Sequence, residues 1–230
     1  METIAHYYDE VWIYGVRSVF DAVTEYAFPL EVAAKTHFCG YLKRPTVPRP
    51  AYTGPPRVLV TTGGGGDGAD LVAVYLEGLI ALPRRVALRT TIVFGPQMPP
   101  ANRTQLLTRY GSLADVTFVD FEPDLTGRYA ESDVVVSMAG YNTVCELLSS
   151  GARAVLVPRG QPVREQLLRA RLLAAPGLFD MVEPHELVPD VLMTKVRASL
   201  DRPVPAAAID LDGLTRIRTR TTALMEDLTR

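Results

Sequence analysis

Residues 57–82 read RVLVTTGGGGDGADLVAVYLEGLIAL, and this stretch decides the fold. Arg57 to Thr62 is a short β-branched run without polar alternation, the pattern of a strand covered on both faces. A glycine loop, Gly63 to Gly68, follows, and from Ala69 to Leu82 apolar residues recur at helical spacing. A buried strand feeding a helix through a tight loop is the first half of a parallel βαβ unit.

The same alternation continues downstream. Strands are predicted at Thr91–Phe94, Val116–Asp120, Val134–Met138 and Ala154–Pro158, with helices at Asn102–Tyr110, Leu125–Ala130, Thr143–Ser150 and Arg164–Leu173 between and after them. Residues 57–185 therefore read as a doubly wound α/β domain around a parallel sheet, Rossmann-like in class, and a last helix at Leu214–Leu228 is expected to close a domain spanning 57–230. Upstream, residues 45–56 (PTVPRPAYTGPP) carry Pro45, Pro48, Pro50, Pro55 and Pro56, which block helix and central strand and mark a linker. The preceding residues 1–44 show a helix end (Ile4–Tyr8), a strand (Val11–Tyr14), a helix (Val19–Tyr26) and a strand (Thr36–Tyr41). A segment that short scarcely buries a core alone, because independent folding is rare below ~40 residues.

Composition narrows the function. Of 230 residues 47% are apolar and 22% charged, and 24 basic against 26 acidic residues leave a net charge of −2. No basic field gathers nucleic acid, and the excess of arginine over lysine reads as coding bias before phosphate chemistry. Cys39 and Cys145 lack a zinc or redox spacing, and His6, His37 and His185 make no metal motif. No run approaches the ~18 apolar residues of a membrane span and no signal pattern opens the chain, which points to the cytoplasm.

In an open parallel sheet ligands bind beyond the carboxyl ends of the strands, so the loops there hold the candidates. Gly63 to Gly68 satisfies G-x-G-x-x-G, but the second strand ends Ile92-Val93-Phe94-Gly95-Pro96 without the acid a nicotinamide dinucleotide needs, and Ala69 replaces the Lys-Ser/Thr of a P-loop. What survives is general: glycines bring backbone amides close to a phosphate or sugar at a helix N-terminus, or else simply make a tight turn. If the loop holds a ligand, Gly65→Val should block binding before it affects folding. The second candidate is SDVVVSMAGYNTVCE, residues 132–146, where a strand runs into Ala139-Gly140 and the next helix offers free amides near Gly140 to Thr143. Two such helix ends across one cleft suit a diphosphate. Glu146 either closes a Thr143-x-x-Glu146 capping box or accepts the hydroxyls of a ribose. Phe121-Glu122-Pro123 offers a ring and a backbone to a base, with Phe121 as core filler the alternative. Residues 159–166 (RGQPVREQ) form a polar cluster opening a helix.

Taken together, Gly140, Thr143, Val144 and Glu146 (G-x-x-T-V-x-E), then Gly151, Pro158 and Arg164-Glu165-Gln166, resemble the C-terminal donor domain of GT-B glycosyltransferases related to MurG, the family 28 C-terminal type. MurG adds N-acetylglucosamine to the peptidoglycan lipid intermediate. The TTGGGGDG loop resembles more closely still a bacterial branch of predicted glycosyltransferases. The resemblance covers most of residues 36–173. It implies the donor half of an inverting, metal-independent hexosyltransferase that needs no cofactor beyond its nucleotide-sugar substrate, UDP-linked and of the kind represented by a UDP-N-acetylhexosamine. By this likeness Glu146 holds the ribose, the Glu122 backbone beside Phe121 reads uracil, and Leu125 floors that pocket. Ala139, Gly140, Tyr141, Asn142 and Thr143 face the diphosphate and sugar together with Gly64, Gly65, Gly66 and Asp67, and Gln166 contacts sugar hydroxyls. Phe94, Gln161, Arg164 and Glu165 complete the donor set, and Arg44, in a GYLKR segment similar to the family's G-N-P-V-R, reaches the phosphates. Glu165 in place of Gln, Tyr41-Leu42 in place of Asn-Pro, and Asp67 depart from the pattern at positions that face the sugar. Residues 1–44 are then the end of an N-terminal acceptor domain, whose remainder would carry the general base and a site for a lipid-linked or small glycan acceptor. Neither His6 nor His37 is expected to be that base. The alternatives are a nucleotide-sugar-binding subunit that needs a separate acceptor-domain partner and a fragment of a sugar-nucleotide epimerase of the same architecture. A peripheral position at the inner membrane face is compatible with this reading.

Overall fold

The computed structural model describes residues 1–83, 86–161, 164–203 and 209–228. Pro162 and Val163 of the polar cluster lie outside the described residues. The chain divides into two compact units, Met1–Arg44 with Ala207–Arg230, and Pro45–Ala206.

The smaller unit begins with α1 (Glu2–Tyr7), β1 (Val11–Ile13), α2 (Ala22–Glu25), α3 (Leu30–Ala34) and β2 (Thr36–Phe38). Strands β1 and β2 pair in parallel, Trp12 opposite His37. Asp21 caps α2 by accepting the Val23 amide at 3.2 Å. The last helix of the chain, expected to close the larger domain, belongs to this unit instead. The Tyr41 amide donates to the Asp210 carbonyl at 2.9 Å, the Gly213 amide to the Tyr41 carbonyl at 3.1 Å, and Arg220 on that helix makes a two-point ion pair with Glu10, 2.6 and 2.8 Å. These partners lie far apart in sequence, Glu10 and Arg220 by 210 residues, so no local pattern announces them.

In the larger unit β3 (Arg57–Thr61), α4 (Ala69–Ala81), β4 (Arg89–Val93), α5 (Pro100–Tyr110), β5 (Val116–Val119), α6 (Thr126–Glu131), β6 (Val134–Ser137), α7 (Tyr141–Ser150), β7 (Ala154–Leu156), α8 (Glu165–Ala174) and β8 (Asp180–Met181) alternate. After them come α9 (Pro189–Asp201) and, in the smaller unit, α10 (Gly213–Leu228). Six parallel strands lie in the order β5-β4-β3-β6-β7-β8, so the winding direction reverses between β3 and β6. β3 is central, Leu59 facing Thr91 on one neighbour and Val135 on the other.

The sheet is apolar on both faces because helices cover both. Val58, Val60, Val134, Val136, Val155, Tyr75 and Leu76 are buried in one core, each aliphatic side chain contributing about 1.5–3 kcal/mol by leaving water. Tyr75 is fully buried and its hydroxyl meets the Thr90 hydroxyl at 2.8 Å, which explains a polar residue inside β4. Helix α9 packs on α4 where Gly78 leaves room: a Cβ there would stand 2.4 Å from Met193 Cγ. The proline-rich segment is laid against the sheet, with Arg49 donating to the Ser132 carbonyl at 3.0 Å and pairing with Asp133, whose other oxygen takes the Arg57 amide at 2.7 Å.

Candidate functional site

The reversal of strand order brings the loops after β3 and β6 to one crevice at the carboxyl edge of the sheet, where such folds bind ligands. The glycine loop after β3 is interlocked with the loop after β4. The Gln97 amide donates to the Gly64 carbonyl at 2.7 Å, and Thr62 Oγ1 donates to the Phe94 carbonyl. Gly65 has φ +89°, and a Cβ there would stand 2.3 Å from the Phe94 carbonyl oxygen. Part of the glycine requirement is therefore packing between two loops, whereas Gly64 and Gly66 are exposed and line the crevice. It follows that Gly65→Val should disturb folding as well as binding, contrary to the expectation from sequence.

Helix α7 starts from Gly140, whose extended backbone (ψ 147°) is its N-cap. The amides of Tyr141, Asn142 and Thr143 occupy the first turn, where a helix has no internal acceptors for them. Thr143 therefore lies inside the helix and cannot be the first member of a capping box with Glu146. The Glu146 carboxylate instead accepts the Tyr129 hydroxyl at 2.8 Å. Burial, with the Glu146 charge beside it, pushes the Tyr129 phenol well above its ordinary pKa, so it remains a donor. The two loops converge on Thr143: a Cβ at Gly63 would lie 3.8 Å, and one at Gly140 3.9 Å, from Thr143 Oγ1.

A cleft of about 860 Å³ opens there. Of the positions singled out from sequence it is lined by Gly64, Gly65, Gly66, Asp67, Glu122, Leu125, Gly140, Tyr141, Asn142, Thr143, Glu146 and Gln166. The buried Oε1 of Gln166 finds no hydrogen-bond partner among the described residues, which leaves it for a ligand. Glu122 is held by Arg128 at 2.8 Å, and Asp67 pairs with Arg159 at 3.1 Å, joining the loops after β3 and β7.

Other positions fall elsewhere. Phe94 is fully buried, its ring stacked on Phe118 at 5.8 Å, and only its carbonyl approaches the loops. Phe121 is 53% exposed, neither core filler nor cleft wall. Ala139 is buried, its carbonyl accepting Arg169 at 3.0 Å, and the same arginine pairs with Glu165, which does not line the cleft. Gln161 and Arg164 are exposed outside the cleft wall, and Arg44 belongs to the smaller unit. Conversely Thr61, Thr62, Pro123, Met138 and Arg159, which fall inside the quoted stretches without having been assigned a ligand contact, line the cleft, and so does Gln97, which no quoted stretch contains. Gln97 stands just past the end of β4, and that position alone was the available signal.

A six-stranded parallel sheet reversing at β3/β6, with two helix starts and a carboxylate at the reversal, is the doubly wound, Rossmann-like class of fold with its ligand crevice at the switch point. The Glycosyltransferase family 28 C-terminal domain matches residues 58–208, and the chain belongs to that family. A UDP-N-acetylglucosamine--N-acetylmuramyl-(pentapeptide) pyrophosphoryl-undecaprenol N-acetylglucosamine transferase of Phenylobacterium zucineum (strain HLK1) is 34% identical over 161 residues, 69% of this chain and 43% of that protein. The chain thus spans less than half the length of this curated relative. Among solved structures, MurG of Acinetobacter baumannii has a TM-score of 0.55 at 24% identity over 74% of this chain and 46% of that one. The glycosyltransferase VinC, in complex with dTDP, has a TM-score of 0.51 at 21% identity over 70% of this chain and 38% of that one. These neighbours share the fold.

Proposed function

We propose that the chain holds a UDP-linked sugar as the donor half of an inverting, metal-independent glycosyltransferase. The observation that carries this reading is Glu146: its carboxylate is not spent on a helix cap and lines the cleft beside the α7 amides. In the proposed complex Glu146 accepts the ribose hydroxyls, the backbone at Glu122 reads the base, and the glycine loop and α7 start receive the diphosphate. Gln166 contacts the sugar. An acceptor hydroxyl then attacks the anomeric carbon. The new carbon–oxygen bond forms as the bond to the β-phosphate oxygen breaks, UDP departs against the amides, and the hydroxyl proton passes to a base outside this unit. The name of the Phenylobacterium relative, with its pyrophosphoryl-undecaprenol acceptor, supports a lipid-linked acceptor and a peripheral place at the inner membrane face.

Calorimetric titration with UDP, GDP, dTDP and NADH tests the reading. UDP should bind with modest affinity, and Glu146→Ala should weaken it ~10-fold or more, the scale of hydrogen bonds to a charged group. Binding of NADH without UDP would overturn it.

A further inference from the structure

Helix α6 carries two adjacent residues that each hold an acid of the cleft, Arg128 on Glu122 and Tyr129 on Glu146. Tyr129 is 4% exposed, so its ring is fixed by packing and its hydroxyl is delivered to one place. Behind Glu146, on the side of α6 and the segment Pro45–Arg49, lies a second, smaller cavity of about 190 Å³, also lined by Tyr129, Ser150, Arg49 and Arg153. Glu146 lines both spaces. A carboxylate free to rotate there has room on the side away from the cleft, and that side carries the positive charge of Arg49, itself paired with Asp133, and of Arg153. The hydrogen bond from Tyr129 to Oε2 restrains that rotation and leaves Oε1 without this tether.

We infer that Tyr129 is a positioning residue whose phenol fixes Oε2 of Glu146 and so sets the orientation in which the carboxylate accepts the hydroxyls of a donor ribose. The inference rests on the donor reading above and adds to it a residue that touches no ligand. Preorganisation of this kind acts on affinity through the group it aims, so its signature is selective loss of ribose recognition.

The test is titration of the 230-residue chain and its variants with UDP and with 2′-deoxy-UDP. Wild type should prefer UDP, and Tyr129→Phe should reduce that preference ~10-fold, the lower end of the scale of one hydrogen bond to a charged group, while 2′-deoxy-UDP affinity changes little. In a Glu146→Ala background, adding Tyr129→Phe should change nothing further. The ratio of two affinities within one protein does not depend on the folded fraction, so a destabilised variant still answers the question. If Glu146→Ala abolishes the preference and Tyr129→Phe leaves it intact, the positioning role is overturned and the donor reading stands. The positioning role is equally overturned if Tyr129→Phe weakens both ligands to the same extent in either background. Wild type that binds neither ligand overturns the donor reading and the positioning role together.

Discussion

Gly65 and Gly66 are neighbours under different constraints. Gly65 has a positive φ and backbone atoms of the β4 loop where a side chain would go, whereas the nearest atom to a Cβ on Gly66 is Gln97 Oε1 at 3.8 Å. Gly65→Ala should therefore cost more than ~2 kcal/mol of stability, the sum of a strained backbone and a forced shift, while Gly66→Ala should stay within ~1 kcal/mol. Urea unfolding of the two variants measures both, and equal losses would refute the distinction. At this scale the sequence showed that glycines were needed without showing why. Thr143 and Glu146 show the complementary difficulty: their spacing matches a capping box, but whether it is one depends on the helix starting at Thr143, and Gly140 starts it earlier.

At the scale of elements, the alternation of strand and helix was legible because each central strand is apolar on both sides and each following helix is periodic. What escaped was short or supported from a distance. β8 has only two residues, too few to show any period, and the Arg89-Thr90 start of β4 looks polar until Tyr75 supplies the partner for Thr90. Helix α9 begins at Pro189, past the last strand that the pattern could recognise. The ion pair between Asp67 and Arg159 joins two of the loops. Both side chains are roughly half exposed, so the pair contributes at most ~1 kcal/mol, and Asp67→Asn should barely move the melting temperature. Removing a negative charge beside the proposed diphosphate and releasing Arg159 should tighten UDP binding ~2- to 5-fold at low salt, an advantage that salt should screen away. Titrations at 20 mM and 0.5 M sodium chloride, about 20 and 4 Å of screening length, would show it; weaker binding by the variant at low salt would count against it.

For the whole molecule, the two units part between Arg44 and Pro45, with the proline-rich segment inside the larger one, and the return of α10 to the first 44 residues was not readable, since it depends on pairings such as Glu10 with Arg220. The Arg220 guanidinium, together with the Trp12 indole N–H, holds the Glu10 carboxyl down to about 2 from its ordinary 4.5. A carboxylate lowered in the folded state stabilises fully above its unfolded pKa and loses that contribution as pH falls through its folded value. The stabilisation from Glu10 should thus be complete above pH 4.5 and fade toward pH 2. Trp12 is the sole tryptophan of the chain and donates to the same carboxylate, so its fluorescence should report the change in the smaller unit. Glu10→Gln should remove the acid step in Trp12 emission; an unchanged step would assign it to another group.

The crevice at the reversal of the sheet presents main chain as much as side chain. Alanine scanning deletes side chains, so a scan of this cleft would return Glu146, Gln166 and Arg159 and pass silently over the glycine loop and the first turn of α7. Methyl groups introduced one at a time, at positions such as Gly66 where the fold has room for them, would map the part of the surface that deletion cannot reveal.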